Sequence, residues 1–455
     1  MLRSLYVTLI YFAFVILGVA APFAFSLGYV WVDTFTPQNV AYSIITQIPV
    51  SMVMAGLAIG GYLVFDRRSP PPISLNLILV LLFAVWVTIT TFFFAVSPQS
   101  ALVKWDWALK TLLFSAFIPF VIRSRVQIEA FLQVYLFALT VHFMPVGLKT
   151  MVAGGGYGMS LGVVGGNSGL SEGSTLAAVA LMMLPIILYL RQHTVLLPKN
   201  TVTNVLYIGV AVTTLTCAVG TFARTGLIGM AVVGIALFLR TRHKVIVGLA
   251  GVAVLAGLLL LTSDAWNDRI STVTTYQTED SAMSRILVWR WTLGFAADHP
   301  LGGGFNSYEV NEIHFQALDG SFETVVMRSK AFHSIYFEVL GEQGFPGLAL
   351  FLGLMISTFL SLRRVARWAR VTPGMEWLRD LAYALEVSLL TMMACGAFIG
   401  VAFQPMLYYL FALSTCLSHQ MHRLRTGAAT VPAGRAGAAT AVPILARRAG
   451  VKPQA

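Results

Sequence analysis

Long apolar stretches recur along most of the chain, separated by short clusters of charge, proline or glycine. A helix needs about 20 apolar residues to cross the hydrocarbon core of a bilayer, and most of these stretches approach that length. They lie at about 4–20, 21–36, 41–65, 72–96, 106–122, 126–147, 172–190, 202–220, 222–239, 245–262, 345–362, 381–400 and 404–421. The pattern predicts an all-α polytopic membrane protein.

The first 36 residues hold two short apolar stretches that meet near Pro22. If residues 1–32 form one crossing bent at this proline, the chain has about twelve transmembrane helices. Proline permits a kink and a re-entrant hairpin equally well, so residues 1–36 make one or two membrane segments. Because eleven further stretches follow and Pro22 directly follows the small residues 19–21, we expect a retained helix rather than a cleaved signal peptide.

Composition narrows the class of protein. Hydrophobic residues make up 57% of the 455 residues and charged residues 11%, whereas roughly 25% charged residues are typical of soluble domains. The mean hydropathy is +0.78. These values exclude a water-soluble fold, a disordered chain and a secreted disulfide scaffold. Cys217, Cys395 and Cys416 all lie in apolar stretches, so we expect buried thiols.

The formal net charge is +11, and the positions of the basic residues account for it without a nucleic-acid partner. With twelve crossings and a cytoplasmic N-terminus, 21 of the 30 Lys and Arg residues fall on the cytoplasmic side. This positive-inside bias predicts that both termini are cytoplasmic. The other nine, which include Lys104, Arg224 and Arg285, fall on the outer side or just within the membrane.

Three segments follow from this topology. Residues 1–200 hold the N-terminal transmembrane helices, and 201–425 hold the remaining helices with a long outer loop at 263–344. A loop of roughly eighty residues is uncommon unless it is functional. Residues 426–455 lack a periodic apolar face and are basic, which is typical of a disordered arm near anionic lipid.

Arg224 lies in the run 219–226, between two apolar stretches with almost no loop, and therefore at the outer hydrocarbon boundary. An arginine there either extends to lipid headgroups or serves a function. Basic residues that face headgroups are favoured on the cytoplasmic side, and Gly220 and Gly226 permit close backbone approach. The pattern therefore favours a functional arginine.

Apolar residues recur at helical spacing over 281–298, which predicts an amphipathic helix on the membrane that ends before the glycine-rich turn 302–304. Near its N-terminus, Arg285 and free backbone N–H groups together favour an anion such as a diphosphate. Arg290 on the same helix is equally compatible with a salt-bridged or headgroup-facing surface position.

The segment from His333 holds the densest group of chemically active side chains. Read as a helix, it places His333 and Tyr336 on one face and stacks Glu338 and Glu342 at i, i+4. Glu342 is then either an intramembrane carboxylate or part of a helix above the bilayer, and the glycine and proline residues of 344–347 favour the second arrangement. A histidine beside a tyrosine and two carboxylates indicates a catalytic histidine.

Two other outer features give weaker candidates. Lys104 is flanked by tryptophans at the start of a helix, where anchoring lysines are common, so we favour an interfacial anchor. The glycine-rich loop 154–173, with Asn167 and Glu172, is compatible with a backbone nest for an anion and with a flexible connector. The outer segments hold no Asp-x-Asp pair, HExxH motif or Cys/His cluster, which argues against a metal-dependent transferase or a zinc enzyme.

Together these segments resemble the O-antigen ligase family, membrane glycosyltransferases that share a domain with O-antigen polymerases and pilin O-oligosaccharyltransferases. The resemblance covers roughly residues 205–415, and residues 1–200 are similar to exosortase-associated O-glycosylation ligases. The motifs are Thr-Phe-Ala-Arg-Thr-Gly at 221–226, Ser284-Arg285 with Trp289, His-Pro-Leu-Gly-Gly-Gly at 299–304, and His-Ser-Ile-Tyr-Phe-Glu at 333–338 followed by Glu342, Gly344 and Gly347.

The resemblance implies a GT-C-like fold and transfer of a glycan from undecaprenyl diphosphate at the periplasmic face of a bacterial inner membrane. By motif position, His333 is the catalytic histidine, and Arg224 and Arg285 bind the carrier diphosphate. A sugar hydroxyl that attacks an anomeric carbon needs a base near neutral pH, and the departing diphosphate needs cations. We expect two arginines to replace a metal, with no cofactor.

The leading hypothesis is an O-antigen ligase that uses the lipid A core oligosaccharide as acceptor and inverts the anomeric carbon. A protein O-oligosaccharyltransferase or an O-antigen polymerase would use the same donor. A lipid-linked glycan flippase would also need outer arginines, but it should tolerate loss of His333.

Overall fold

The computed structural model describes residues 2–41, 44–66, 68, 70–153, 170–241, 244–245, 248–249, 280–316 and 324–426. The helices are α1 Leu2–Ala20, α2 Phe23–Phe35, α3 Pro37–Val40, α4 Val50–Phe65, α5 Leu75–Phe93, α6 Pro98–Val121, α7 Arg125–Ala153, α8 Gly173–His193, α9 Thr201–Gly220, α10 Arg224–Arg240, α11 Asp280–Asp298, α12 Ile335–Val371, α13 Glu376–Gly396 and α14 Pro405–Arg425. Two strands, β1 Glu312–Gln316 and β2 Thr324–Arg328, and short 3-10 turns at Ile44–Thr46 and Ser307–Val310 complete the described elements.

The chain is an all-α polytopic membrane protein apart from one small sheet. Six described helices are long and apolar enough to cross a bilayer: Arg3–Ala20, Leu75–Phe93, Arg125–Val152, Gly173–His193, Thr201–Gly220 and Ile335–Val371. Twelve crossings and a GT-C-like arrangement stay predictions. Most of the predicted stretch 245–262, the loop residues 154–169 and the tail beyond Thr426 lie outside the described residues.

Residues 2–35 form two antiparallel helices rather than one bent helix. A Cβ atom at Gly18 of α1 would lie 2.3 Å from the Phe25 ring of α2, and the rings of Phe14 and Trp31 lie 5.8 Å apart. Contacts between residues so distant from the turn at Pro22 require that the chain reverses direction there. Of the two alternatives, a kinked helix and a hairpin, the structure therefore adopts the hairpin.

The core of the bundle lies around α8, in which every residue from 175 to 187 is buried. Helix α13 packs on it, where the Ser388 hydroxyl donates to the Met182 carbonyl at 2.7 Å. Helix α10 approaches both, since a Cβ at Gly229 would lie 2.7 Å from Leu181 and 3.0 Å from the Cys395 sulfur. All three cysteines are buried and free, as the apolar pattern predicts.

Strands β1 and β2 form an antiparallel hairpin in the segment between α11 and α12, with Glu312 opposite Arg328 and Gln316 opposite Thr324. The sequence pattern predicts helices in this outer loop and does not predict the sheet. Isoleucine, valine and threonine suit a half-buried strand surface because their branched side chains pack well on it. The predicted amphipathic helix over 281–298 is confirmed as α11.

A glycine-rich turn joins α11, α5 and α12. Gly302 has a φ of 96°, and the Gly303 amide donates to the Gly341 carbonyl at 3.0 Å. The Gly303 carbonyl accepts from the Val96 amide, just beyond α5, at 2.8 Å. A Cβ at Gly302 would lie 2.6 Å from the backbone at 342–344. Only glycine permits this approach of one backbone to another, so the turn fixes α11 against the first part of α12.

Candidate functional site

Helix α12 is broken at Gly344, as the glycine and proline pattern predicts. Gly344 has φ 67° and ψ −169°, which lie outside the helical region. The short first part, from Ile335 to Gln343, is buried against the glycine-rich turn, and the long second part carries the apolar span. The break separates a segment that carries polar chemistry from the part of the helix that is suited to the bilayer.

Glu338 and Glu342 stack on one face of this short segment, as their i, i+4 spacing predicts. Both carboxylates accept from the Lys104 ammonium of α6, at 2.7 Å and 2.8 Å. Glu338 also accepts from the Ala402 amide at 3.0 Å, and Glu342 from the Asn306 amide at 2.9 Å. These bonds tie α6, α12 and two loops into one unit.

The prediction that Lys104 is an interfacial anchor was wrong. Its side chain is 11% exposed, and those of Glu338 and Glu342 are 8% and 0% exposed. The ammonium also lies 5.6 Å and 5.3 Å from the ring centroids of Phe305 and Phe403. Since a buried charge must be paired to avoid a large desolvation cost, this lysine is part of the interior of the site.

One oxygen of Glu342 stands out. Its Oε2 atom is buried and accepts no hydrogen bond from any described residue. A buried carboxylate oxygen without a donor is unfavourable, so a hydroxyl or amide of a bound molecule would stabilise it.

His333 precedes the helix instead of belonging to it, which corrects the prediction that it shares a helical face with Tyr336. Its φ of 48° lies in the left-handed region, and the helix begins two residues later at Ile335. The Trp289 indole of α11 donates to the Phe332 carbonyl at 2.8 Å, and its ring stacks on Phe337 at 5.0 Å. Strained backbone persists where neighbours hold it, and here Trp289 holds the residues on either side of His333.

The segment before His333 is also fixed. The Asn311 side chain donates to the Lys330 carbonyl at 2.7 Å and accepts from the Lys330 amide at 2.9 Å. The Ser329 hydroxyl donates to the Glu309 carbonyl at 2.9 Å. The chain therefore enters the site along a defined path.

Burial lowers the pKa of His333 below its usual value near 6.5, because the charged imidazolium loses solvation. The Glu172 carboxylate opposes this effect, whereas the positive charges of Arg285 and Lys330 add to it. The imidazole is thus neutral near pH 7. The same electrostatic effects place Glu172 and Arg285 in its neighbourhood.

A cavity of about 300 Å³ joins these groups. Its volume is at the lower end of the range found for small-molecule sites, which is roughly 300–1,000 Å³. The charged and polar side chains of its lining come from five separate parts of the chain and are Lys104, Glu172, Asn306, Tyr308, His333, Glu338, Glu342 and Gln404. The lining formed by the described residues includes neither Arg224 nor Arg285.

Arg224 is the first residue of α10 and follows a tight turn in which Phe222 has a φ of 51°. Of its flanking glycines, Gly220 packs closely, since a Cβ there would overlap Thr150, whereas a Cβ at Gly226 would lie 3.5 Å from Ala177, an ordinary contact. Ala177 lies in the first turns of α8, which begins beside Glu172. Arg224 and the cavity therefore lie at the same end of the bundle.

The weaker candidates fall in different places. The Tyr336 hydroxyl donates to the Met393 carbonyl at 2.9 Å, which indicates a packing role. Arg290 is exposed on α11. Asn167 lies outside the described residues. Within the described ranges, no group of three or more His, Cys, Asp or Glu side chains is arranged to hold a metal ion.

Two family models match parts of the chain. Residues 209–352 match the family model described as O-Antigen ligase, and residues 2–195 match a family of unknown function, DUF5935. No curated protein matches the chain. The first match includes Arg224, Arg285 and His333, and it supports the O-antigen ligase family and a membrane glycosyltransferase of the ligase or polymerase type.

Proposed function

We propose that this protein is an O-antigen ligase. It transfers O-antigen polysaccharide from undecaprenyl diphosphate to the lipid A core oligosaccharide at the periplasmic face of the bacterial inner membrane. The observation that carries the proposal is the position of His333 in a cavity lined by three carboxylates, at the same end of the bundle as Arg224. The match of residues 209–352 to the O-antigen ligase family supports the class of reaction.

The proposed reaction is a single displacement at the anomeric carbon of the donor. An acceptor hydroxyl oxygen forms the new bond while the bond from carbon to the diphosphate oxygen breaks. His333 takes the hydroxyl proton, and undecaprenyl diphosphate leaves with the electron pair. Arg224 and Arg285 stabilise its negative charge, as preorganised cations do for developing oxyanions. One displacement inverts the anomeric carbon, and no metal is required.

The carboxylates have a positioning role in this proposal. Glu342 and Glu338 are held by Lys104, and both line the cavity that the sugar would enter. Several oriented hydrogen bonds to a sugar determine which of its hydroxyl groups faces the base. This orientation is the usual source of regioselectivity in a transfer reaction.

The test is transfer in vitro with purified protein, undecaprenyl diphosphate-linked glycan and rough lipopolysaccharide as acceptor. His333→Ala should reduce transfer by roughly 10²- to 10⁴-fold, the usual contribution of a general base. Arg224→Ala and Arg285→Ala should each reduce it by roughly 10- to 100-fold through lost charged hydrogen bonds. Transfer should persist in EDTA.

His314→Ala is the matched control for the histidine variant. His314 lies on β1, its side chain is 59% exposed, and it pairs with Glu312. It should retain transfer at the wild-type level. Full transfer activity of His333→Ala would overturn the proposed role of His333 as the base. A wild-type protein that transfers no glycan but moves the carrier-linked glycan across a membrane would favour a flippase, which does not need a base.

The acceptor is decided by the same assay with purified pilin added beside the lipopolysaccharide. Glycosylated pilin with unmodified lipopolysaccharide would indicate a protein O-oligosaccharyltransferase, and a lengthened carrier-linked glycan would indicate a polymerase. Either product would refute the ligase assignment and leave the donor chemistry intact.

A further inference from the structure

A second polar cavity, of about 1040 Å³, lies at the end of the bundle opposite His333. It is formed between α8, α10, α12 and α13. The charged side chains of its lining are five arginines and two carboxylates, which gives a net charge of +3: Arg240, Arg363, Arg367, Arg370, Arg379, Asp380 and Glu386. Its inner wall is apolar and includes Leu188, Leu237 and Val387.

A buried carboxylate organises one side of this arginine cavity. The Glu386 side chain is 3% exposed and pairs with Arg363 at 3.2 Å and with Arg240 at 3.4 Å. Arg379 pairs with Asp380 at 2.7 Å. Three of the five arginines are therefore held in place by carboxylates, which reduces the entropy lost when they bind a further group.

The other two arginines lack such a carboxylate. Arg367 and Arg370 form no ion pair with any described carboxylate, and with Arg363 they follow i, i+4, i+7 spacing on one face of α12. Guanidinium groups bind phosphate through paired hydrogen bonds. Arg367 and Arg370 are therefore positioned to bind an anion, and the described residues of this chain do not supply one.

The depth of the cavity matches a lipid headgroup. Arg363 lies 19 residues after the break at Gly344, and a helix of that length rises about 29 Å. The hydrocarbon core of a bilayer is about 30 Å thick. The arginines therefore lie near the headgroup level of the leaflet opposite the candidate site, and the apolar inner wall lies at the depth of acyl chains.

We propose that this arginine cavity binds an acidic glycerophospholipid, with the phosphate on Arg367 and Arg370 and an acyl chain along the apolar wall. Charge and depth favour a lipid over a soluble anion, because free phosphate would leave the apolar wall uncovered. Basic pockets between transmembrane helices are suited to acidic headgroups. This site is separate from the proposed transfer reaction and does not depend on it.

The experiment is native mass spectrometry of the full chain in neutral detergent with phosphatidylglycerol or phosphatidylcholine. Wild type should retain phosphatidylglycerol preferentially, and an excess of inorganic phosphate should not displace it. Arg367→Gln with Arg370→Gln should weaken retention by roughly tenfold or more, given the usual contribution of an arginine near a charged headgroup. Arg364→Gln is the matched control, because Arg364 is exposed on the same helix and does not line the cavity.

Equal retention by the double variant and wild type would overturn the proposal. An equal loss in Arg364→Gln would also overturn it, since diffuse surface charge would then suffice. Displacement by inorganic phosphate alone would indicate a soluble-anion site and refute the lipid. Thermal unfolding establishes that each variant is folded, and the single variant Arg370→Gln replaces the double variant if the latter does not fold.

Discussion

Lys104 offers the most direct test of how the candidate site is held together. In Lys104→Met, the carboxylates of Glu338 and Glu342 lose the ammonium that lies 2.7 Å and 2.8 Å away. Removing one partner of a buried ion pair typically costs about 3–5 kcal/mol, because the remaining charge is left without compensation. Here two carboxylates lose the same ammonium, so we expect the free energy of unfolding to fall by at least about 3 kcal/mol.

The assay is unfolding of the purified protein in detergent, followed by tryptophan fluorescence. Lys110→Met is the matched control, since Lys110 lies on the same helix and pairs with Asp106, and these side chains are 55% and 59% exposed. An exposed pair contributes about 1 kcal/mol or less, so this variant should remain close to wild type.

A compensated variant separates charge from packing. Adding Glu338→Gln and Glu342→Gln to Lys104→Met removes both uncompensated charges and should recover most of the lost stability. Transfer activity should stay low, because the carboxylates proposed to orient the sugar are absent. If Lys104→Met is as stable as Lys110→Met, the buried network does not stabilise the fold and the reasoning is refuted.

Three further predictions concern His333, Gly302 and Tyr336. Transfer should decline as the pH falls below the lowered pKa of His333. Arg285→Gln should move that decline to higher pH, because loss of a nearby cation favours the imidazolium. An unchanged pH profile of initial rates would contradict this prediction. Gly302→Ala should destabilise the fold by about 1–3 kcal/mol in thermal unfolding, whereas Gly353→Ala, which has open space around it, should not. Tyr336→Phe removes one bond to a backbone carbonyl and should retain transfer while costing about 1 kcal/mol of stability; loss of transfer in a folded variant would assign the hydroxyl a chemical role.

Local patterns in the sequence predict α11 and the break in α12 correctly. Periodicity identifies α11, and glycine with proline identifies the break at Gly344, because each signal depends on neighbouring residues. The stacking of Glu338 and Glu342 follows from helix geometry alone. These features depend only on residues close together in the chain, so they can be predicted without knowing which helices pack against each other.

The partner of those carboxylates depends on contacts far apart in the chain. Lys104 is 234 residues from Glu338, and its tryptophan neighbours give it the same local pattern as an interfacial anchor. The left-handed backbone of His333 likewise depends on α11, from which Trp289 donates to the Phe332 carbonyl. Pro22 is compatible with a kink and with a hairpin, and only the packing of α1 on α2 separates them.

The distribution of charge at the candidate site favours different positions for the sugar and the diphosphate of the proposed donor. The cavity lining carries Lys104 and three glutamates, so its net charge is negative and disfavours a diphosphate. Arg285 and Lys330 act on His333 from outside that lining. We therefore expect the diphosphate to bind outside the cavity and sugar hydroxyls to enter it. His333 lies between the carboxylates of the lining and the cations outside it. In this proposal, it is therefore next to the bond between sugar and diphosphate that would be broken.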